Sequence, residues 1–327
     1  MLVCISANPA IDRRLRLENI AVGEINRALS TQPLPGGKAA HVAMVAKALG
    51  LDVMWIGFLG GAAGEQCESG LTELGIPLTV IRTHSETRAN LELISADGRV
   101  TEILEPGGAV TEGEVERLLT TCRDLFAESE RGTQVAMSGS LPPGAPSDLY
   151  AELIMLAHVH GCRTLLDTSG EALLQALSAE PDFVKPNRHE ASSFAGCAID
   201  GPAAAVEVTQ KFFNAGAKSV AISLGADGII FQRAVSSDAF VAVPSPLAEC
   251  SPVGCGDAAL AGFTVAYERE LSDEETLRLA AACGSANCLA DAPGRIDVSM
   301  VQRLGQAVAV RRVLAFESSR HVAVEAQ

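Results

Sequence analysis

Val135-Ala136-Met137-Ser138-Gly139-Ser140-Leu141-Pro142 and, further on, Arg163-Thr164-Leu165-Leu166-Asp167 are short apolar runs closed by Gly, Pro or an acid. That is the pattern of a buried strand ending in a loop. It returns at Asp182 to Lys185 and at Ser219 to Ser223, with helix-compatible stretches between. Such alternation predicts a mostly parallel central sheet covered by helices on both faces, a three-layer α/β/α arrangement with ligands at the carboxyl ends of the strands. After the turn Gly225-Ala226-Asp227-Gly228, Ile229 to Gln232 and Ala239 to Val243 read as an antiparallel hairpin on the sheet edge.

Upstream, Met1 to Ala7 reads as the first strand. Polar and apolar residues alternate in Ile11 to Leu34 and Arg88 to Leu104, as in Leu91-Glu92-Leu93-Ile94, which predicts a small β-sheet projecting from the core. This sheet is a candidate lid, formed by about residues 11–35 and 86–106. Downstream, helices are expected from Gly256-Asp257 and from Leu277 to Ala290, then a weaker helical C-terminus, with no strand in the last quarter. No repeat or low-complexity linker divides the chain, so residues 1–327 are expected to form one domain.

The formal charge of −15 argues against a nucleic-acid or anionic-membrane surface, because such binding needs an excess of Lys and Arg. Any phosphate must be held locally. Nine cysteines without a C-x-x-C pair are a reduced inventory, neither a disulfide framework nor a zinc site. With no cationic leader and no apolar run of membrane-span length, a cytoplasmic location is expected.

Three stretches carry candidate chemistry. Ser251-Pro252-Val253-Gly254-Cys255-Gly256-Asp257-Ala258 is a glycine-rich turn running into a helix, where converging amides and the helix dipole would stabilise negative charge. Taken alone, Asp257 reads more readily as a helix-capping carboxylate. Pro35-Gly36-Gly37-Lys38 is not a Walker A loop, since Ala39 replaces the Ser or Thr and Gln32 the first glycine. It is either a tight turn with a solvated lysine or a close-fitting loop from which Lys38 reaches an anion. In Lys185-Pro186-Asn187-Arg188-His189-Glu190, Asn187 and Glu190 lie one helical turn apart. Their oxygens could order waters around magnesium or form a capping box; His189 reads as a surface residue.

In this order the pieces resemble the PfkB, or ribokinase-like, family of carbohydrate kinases, in the branch that contains 1-phosphofructokinase and tagatose-6-phosphate kinase. The matching stretches are Asn8-Pro9-Ala10-Ile11-Asp12, Gly36-Gly37-Lys38, Thr87-Arg88-Ala89-Asn90 and Thr101-Glu102-Ile103-Leu104-Glu105. Ser138-Gly139-Ser140-Leu141-Pro142, Val184-Lys185-Pro186-Asn187, Ser223-Leu224-Gly225-Ala226-Asp227-Gly228 and the Gly254 to Asp257 loop continue the series. The resemblance implies ATP- and Mg2+-dependent phosphorylation of a sugar phosphate, with Asp257 as base and the Gly254, Cys255 and Gly256 amides as anion hole.

It further implies that Asp12, Gly37, Lys38, His41, Arg88, Asn90 and Ser140 face the sugar phosphate, Lys38 and Arg88 addressing its existing phosphate. Lys185, Asn187 and Ser223, Leu224, Gly225, Ala226 and Gly228 would line the nucleotide together with Gly256, while Gly284 and Asn287 would neighbour the adenine. Asn187 and Glu190 would hold magnesium through water. In such a family the lids pair between subunits, so a homodimer through the lid is implied, with Arg27 reaching the neighbouring site.

Two positions depart from the family pattern. His41 stands where relatives carry a sugar-contacting asparagine, so it either shifts the accepted hydroxyl pattern or packs under the lid. Cys255 replaces the commoner alanine and should matter less, because the loop acts through backbone amides. The expected reaction is fructose 1-phosphate to fructose 1,6-bisphosphate; tagatose 6-phosphate or fructose 6-phosphate are the alternative acceptors. A non-catalytic sugar-phosphate-binding protein is the reading from another class. A dehydrogenase is disfavoured, because no G-x-G-x-x-G follows the first strand.

Overall fold

The computed structural model describes residues 1–247 and 251–313. Its first third runs β1 (Leu2–Ser6), β2 (Ala10–Leu17), β3 (Ser30–Gly36), α1 (Lys38–Ala48), β4 (Val53–Leu59), α2 (Gly61–Glu73), β5 (Leu78–Arg82), β6 (Arg88–Ser95) and β7 (Val100–Ile103). There follow α3 (Glu112–Glu128), β8 (Gln134–Ser138), α4 (Leu149–Val159), β9 (Arg163–Asp167), α5 (Gly170–Leu177), β10 (Phe183–Val184), α6 (Arg188–Ala195) and α7 (Pro202–Asn214). The last part holds β11 (Val220–Ser223), β12 (Ile229–Gln232), β13 (Ala239–Val243), α8 (Cys255–Glu268), α9 (Asp273–Cys288), α10 (Val298–Ala307) and β14 (Ala309–Val313).

Ten of these strands form one sheet in the order β14-β13-β12-β11-β10-β9-β8-β1-β4-β5. From β5 to β11 every pairing is parallel, and β12, β13 and β14 add antiparallel at one side. Strand β1 shows why helices must cover both faces. All five of its residues are buried, and its side chains alternate between two cores: Leu2 and Cys4 join one, Val3 and Ile5 the other. The first core is closed by α1, α2, α8, α9 and α10; the second lies under α3, α4, α5 and α7. Helices α8 and α9 approach closely because a Cβ at Gly262 would meet Ala280 Cα at 2.7 Å.

Two expectations need correction. The 229–243 hairpin is not the edge, since β14 pairs along β13, so the last quarter does contain a strand. Arg311 and Arg312 gave β14 no apolar signature, as befits an exposed edge strand. The rest of the weakly helical C-terminus, beyond residue 313, lies outside the described residues.

The remaining strands form a four-stranded sheet, β3-β2-β6-β7. Its outer pairs are antiparallel, while β2 and β6 run parallel with Asp12 opposite Asn90. Only three residues separate β2 from the carboxyl end of β1, so the small sheet is tethered at the edge where the parallel strands end. That edge also receives Ser138, Asp167, Lys185 and Ser223 from the ends of β8 to β11.

Candidate active site

Helix α8 begins without a side-chain cap. Its N-cap, Gly254, is left-handed at φ 74°, and a Cβ there would meet Pro293 Cβ at 2.9 Å. Only glycine fits both demands. Gly256 leaves room of another kind: a Cβ on it would lie 3.3 Å from Lys185 Nζ, so the lysine head rests against the first helical turn. The Cys255 amide donates to Pro252 O at 3.2 Å, closing the loop on itself. Behind it, the buried Asn287 donates to Val253 O (2.7 Å) and accepts from the Gly294 amide (2.8 Å). Gly284 backs the same turn, a Cβ on it lying 3.3 Å from Cys255 O. Both residues therefore brace the loop from behind.

Two lysines converge on one buried acid. Asp167 accepts from Lys185 Nζ at 2.8 Å and from Lys38 Nζ at 3.0 Å, and Lys38 lies 3.7 Å from Glu190. Burial opposes the Asp167 charge, but the two ammonium groups outweigh it and hold the carboxyl down at about 2. Burial likewise opposes the Lys38 charge, and Asp167, Glu190 and Asp257 outweigh it and raise the lysine above its ordinary range. The turn at Gly36-Gly37 thus places Lys38 towards the α8 end of the site. Asp167 was not singled out from the sequence. Its signal was an acid ending a buried strand on the ligand-bearing edge.

Between the small sheet and α8 lies a chain of three buried side chains. His41 Nδ1 is 2.9 Å from Asp257 Oδ2 and His41 Nε2 is 3.1 Å from Asp12 Oδ2. Asp12 Oδ1 accepts from Asn90 Nδ2 at 2.9 Å. Gly36 makes the space, for a Cβ there would come within 2.1 Å of Asp12 Cγ. Burial disfavours a charged imidazole, but the hydrogen bonds to the two carboxylates outweigh it and raise His41 to about 10. One step along the same sheet face, Arg14 Nε donates to Glu92 Oε2 at 2.8 Å. Glu92 Oε1 and Asn90 Oδ1 are buried polar atoms without a hydrogen-bond partner among the described residues, so this face carries two unmet acceptors.

The other candidates sit around this centre. Arg88 donates from Nη1 to Glu105 O and from Nη2 to Asn8 O, each at 2.9 Å. Ser140 Oγ accepts from Asn8 Nδ2 at 3.1 Å. Gly37 is left-handed at φ 84°, its missing Cβ allowing an approach to Pro9 and Ala10. Asn187 caps α6 in a reciprocal box with Glu190, at 2.9 and 2.8 Å, and pairs with Ser223 through an isolated bridge. The Ser223 to Gly228 turn is tied by Leu224 N to Gly228 O (2.8 Å) and Gly228 N to Gly225 O (3.1 Å). Arg188 fastens it further, to Leu224 O and the Asp227 carboxylate.

Known proteins resemble this chain in sequence and fold. A family profile described as pfkB family carbohydrate kinase matches residues 1–295. The 1-phosphofructokinase of Bacillus subtilis is 30% identical over 314 residues, spanning 96% of this chain and 100% of that protein. Tagatose-6-phosphate kinase of Staphylococcus epidermidis is 31% identical over 318 residues, again 96% and 100%. Phosphofructokinase-2 from Escherichia coli, solved in complex with fructose-6-phosphate, superposes with a TM-score of 0.84 at 29% identity, covering 94% of this chain and 98% of that one. With the profile covering residues 1–295 and the ribokinase-like fold matched over 94% of the chain, this protein belongs to the pfkB family of carbohydrate kinases.

Proposed function

We propose that this kinase transfers the γ-phosphoryl group of ATP to the 6-hydroxyl of fructose 1-phosphate, giving fructose 1,6-bisphosphate. The observation that carries the phosphoryl-transfer reading is the placement of Asp257, and the choice of acceptor follows the likeness to 1-phosphofructokinase. Asp257 is buried in the first turn of α8, its carboxylate directed to His41, whose other ring nitrogen meets Asp12, rather than to a cap of its own helix. A base in that position lies between a hydroxyl-binding face and a helix N-terminus suited to phosphoryl oxygens.

The chain's residues then divide the work. Asp12 and Asn90 hold sugar hydroxyls, and Arg88 with Lys38 addresses the phosphate already on the sugar. Lys38 and Lys185, fixed by Asp167, also bring positive charge to the α8 end, where phosphoryl transfer needs in-line positioning and neutralised oxygens. Ser223 to Gly228 line the nucleotide. Asn187 and Glu190 offer hard oxygens already satisfied in their mutual cap, and no cluster of three or more His, Cys, Asp or Glu able to hold a metal occurs among the described residues. That donor set fits a magnesium held through water and carried on the ATP phosphates rather than a protein cage. When bound, the ion would neutralise phosphate oxygens.

We further propose that the small sheet acts as a lid and pairs two subunits. Val22, Ile25 and Leu29 between β2 and β3 are 98, 79 and 67% exposed, an apolar tip suited to a second copy. The scattered cysteines, without a C-x-x-C pair, favour the cytoplasm. No helix among the described residues is long and apolar enough to cross a membrane.

The test is a panel of fructose 1-phosphate, fructose 6-phosphate, tagatose 6-phosphate and free fructose with ATP, read by ADP release. Fructose 1-phosphate should have the highest kcat/KM. Preference for either 6-phosphate would move the assignment to the 1-hydroxyl, and silence towards all would leave a sugar-phosphate binder.

A further inference from the structure

The contact between His41 and two carboxylates sets a proton count. A neutral imidazole has one N–H and one lone pair. His41 Nδ1 and Nε2 each lie within hydrogen-bond distance of a carboxylate oxygen, at 2.9 Å from Asp257 and 3.1 Å from Asp12. Were both carboxylates ionised and the ring neutral, one lone pair would face another in a buried site, His41 being 5%, Asp12 4% and Asp257 5% exposed. A second proton must therefore reside in the bridge. On a carboxylate it would compromise either the sugar-holding or the proton-accepting group; on the ring it satisfies both contacts at once.

The surroundings favour the ring. Glu92 of β6 and Glu102 of β7 lie within electrostatic reach of His41. Asp12 and Asn90 close the sheet side, Asp257 the α8 side, and the loop at Gly294 packs on the His41 backbone. Of the nearby cations, Lys38 pairs with Asp167 while still reaching Asp257, Arg14 pairs with Glu92, and Arg88, within electrostatic reach of Asp12, donates to the carbonyls of Glu105 and Asn8.

We infer that His41, as an imidazolium, is a positioning residue that ties the sugar-holding Asp12 to the proton-accepting Asp257 and fixes the base's orientation towards the acceptor. The inference rests on the kinase reading with Asp257 as base. In the transfer step the acceptor O–H bond breaks and its proton passes to Asp257 Oδ1, the oxygen not engaged by His41. The freed electron pair forms the new O–P bond, and the bond from γ-phosphorus to the bridging oxygen breaks, its electron pair leaving on ADP. The imidazolium protons stay in place. A side chain with a single nitrogen, such as asparagine, cannot donate from two ends of a rigid ring, so this chain couples sugar seating to base orientation through one group. The raised imidazole pKa agrees with that state persisting well above neutrality.

The first test uses the wild-type enzyme without substrates. With 15N-labelled histidine, the His41 ring should show two protonated nitrogens at about pH 8, well above the ordinary histidine value of about 6.5. Assignment comes from loss of the signal in His41→Gln. A ring that titrates at the ordinary value would overturn the inference while leaving the kinase reading intact. The second is the pH profile of kcat with ATP and the best sugar phosphate. Wild type should lose rate as His41 deprotonates, and His41→Asn should lack that basic limb while kcat near neutrality falls about ten- to a hundredfold. A variant with wild-type kcat and an unchanged limb would refute the positioning role. If instead Asp257→Asn were fully active while the 15N signal stood, the reading of Asp257 as base would fail and the bridge would survive.

Discussion

The two sides of the site are built from different material. On the α8 side the turn itself is backbone and glycine, Gly254 left-handed and Gly256 open, with the Lys185, Lys38, Asp167 and Asn287 side chains set around it. On the small-sheet side they are side chains: His41, Asp12 and Asn90 in one hydrogen-bonded chain, and beside it the Arg14–Glu92 pair. Backbone geometry suits a group that never varies, such as a phosphoryl moiety, because every residue supplies the same amide. Side chains suit the partner whose hydroxyl pattern must be distinguished, because a mismatched buried hydrogen bond is costly.

The largest break should come where the sides meet. Asp257→Asn is nearly isosteric and is expected to lower kcat by two to four orders of magnitude, about 3–5 kcal/mol of barrier, with KM for ATP little changed. Steady-state kinetics alongside a melting curve check it; near wild-type turnover would sink the role of Asp257.

The same contrast explains what the sequence reveals. Gly254 to Asp257, and Asn187 with Glu190, are contiguous or one turn apart, so local rules find them, and the structure shows the reciprocal cap that spacing allowed. The small-sheet constellation spans the chain: His41 meets Asp257 across 216 residues and Asp12 across 29, and Lys38 meets Asp167 across 129. No periodicity encodes those meetings; they follow from a sheet folded over the strand ends. Resemblance pointed to His41 and to Asp12, yet not to their mutual contact. Elsewhere, Val53 to Leu59 is an unbroken apolar run that periodicity cannot assign, and β14 hides behind its arginines.

A second break lies wholly on the small-sheet side. Removing Arg14 leaves Glu92 buried, and burial already pushes that carboxyl up more than Arg14 pulls it down. The orphaned acid would protonate, so Arg14→Met should cost about 2–3 kcal/mol of stability, below the usual penalty for breaking a buried pair. Denaturant melts measure this, and Arg14→Met with Glu92→Gln should recover most of it.

Arg88→Ala probes binding without chemistry. It should raise KM for the sugar phosphate by the equivalent of about 1.5–3 kcal/mol, leave KM for ATP alone, and cost some stability through the lost bonds to Glu105 O and Asn8 O. Equal use of free fructose and its phosphate ester would remove the reason for this residue.

The two sides should also fail at opposite ends of the pH scale. Asp167 is held at about 2 against an ordinary 3.8, so its contribution is present above the ordinary value and lost as pH falls towards 2. His41 is raised from 6.5 to about 10, so its contribution is complete below 6.5 and is lost as pH rises through 10. Against the wild-type melting temperature as a function of pH, Asp167→Asn should lack the acid slope and His41→Asn the alkaline one, each worth about 2–4 °C.

The smallest effect is expected at Cys255, which separates backbone from side chain within one residue. Its amide belongs to the α8 turn, donating to Pro252 O at 3.2 Å. Its thiol meets Ser251 O and Cys288 Sγ, each at 3.3 Å, and accepts from Asn287 Nδ2 at 3.5 Å. Cys255→Ala keeps the amide and the small volume and removes weak sulfur contacts, so kcat should fall by less than about threefold and stability by no more than about 1 kcal/mol. Proline at the same position fixes φ near its helical value but removes the N–H, a far more disruptive change to the turn. If alanine proved as damaging as proline, the α8 turn would depend on a side chain after all, and its contrast with the small sheet would collapse.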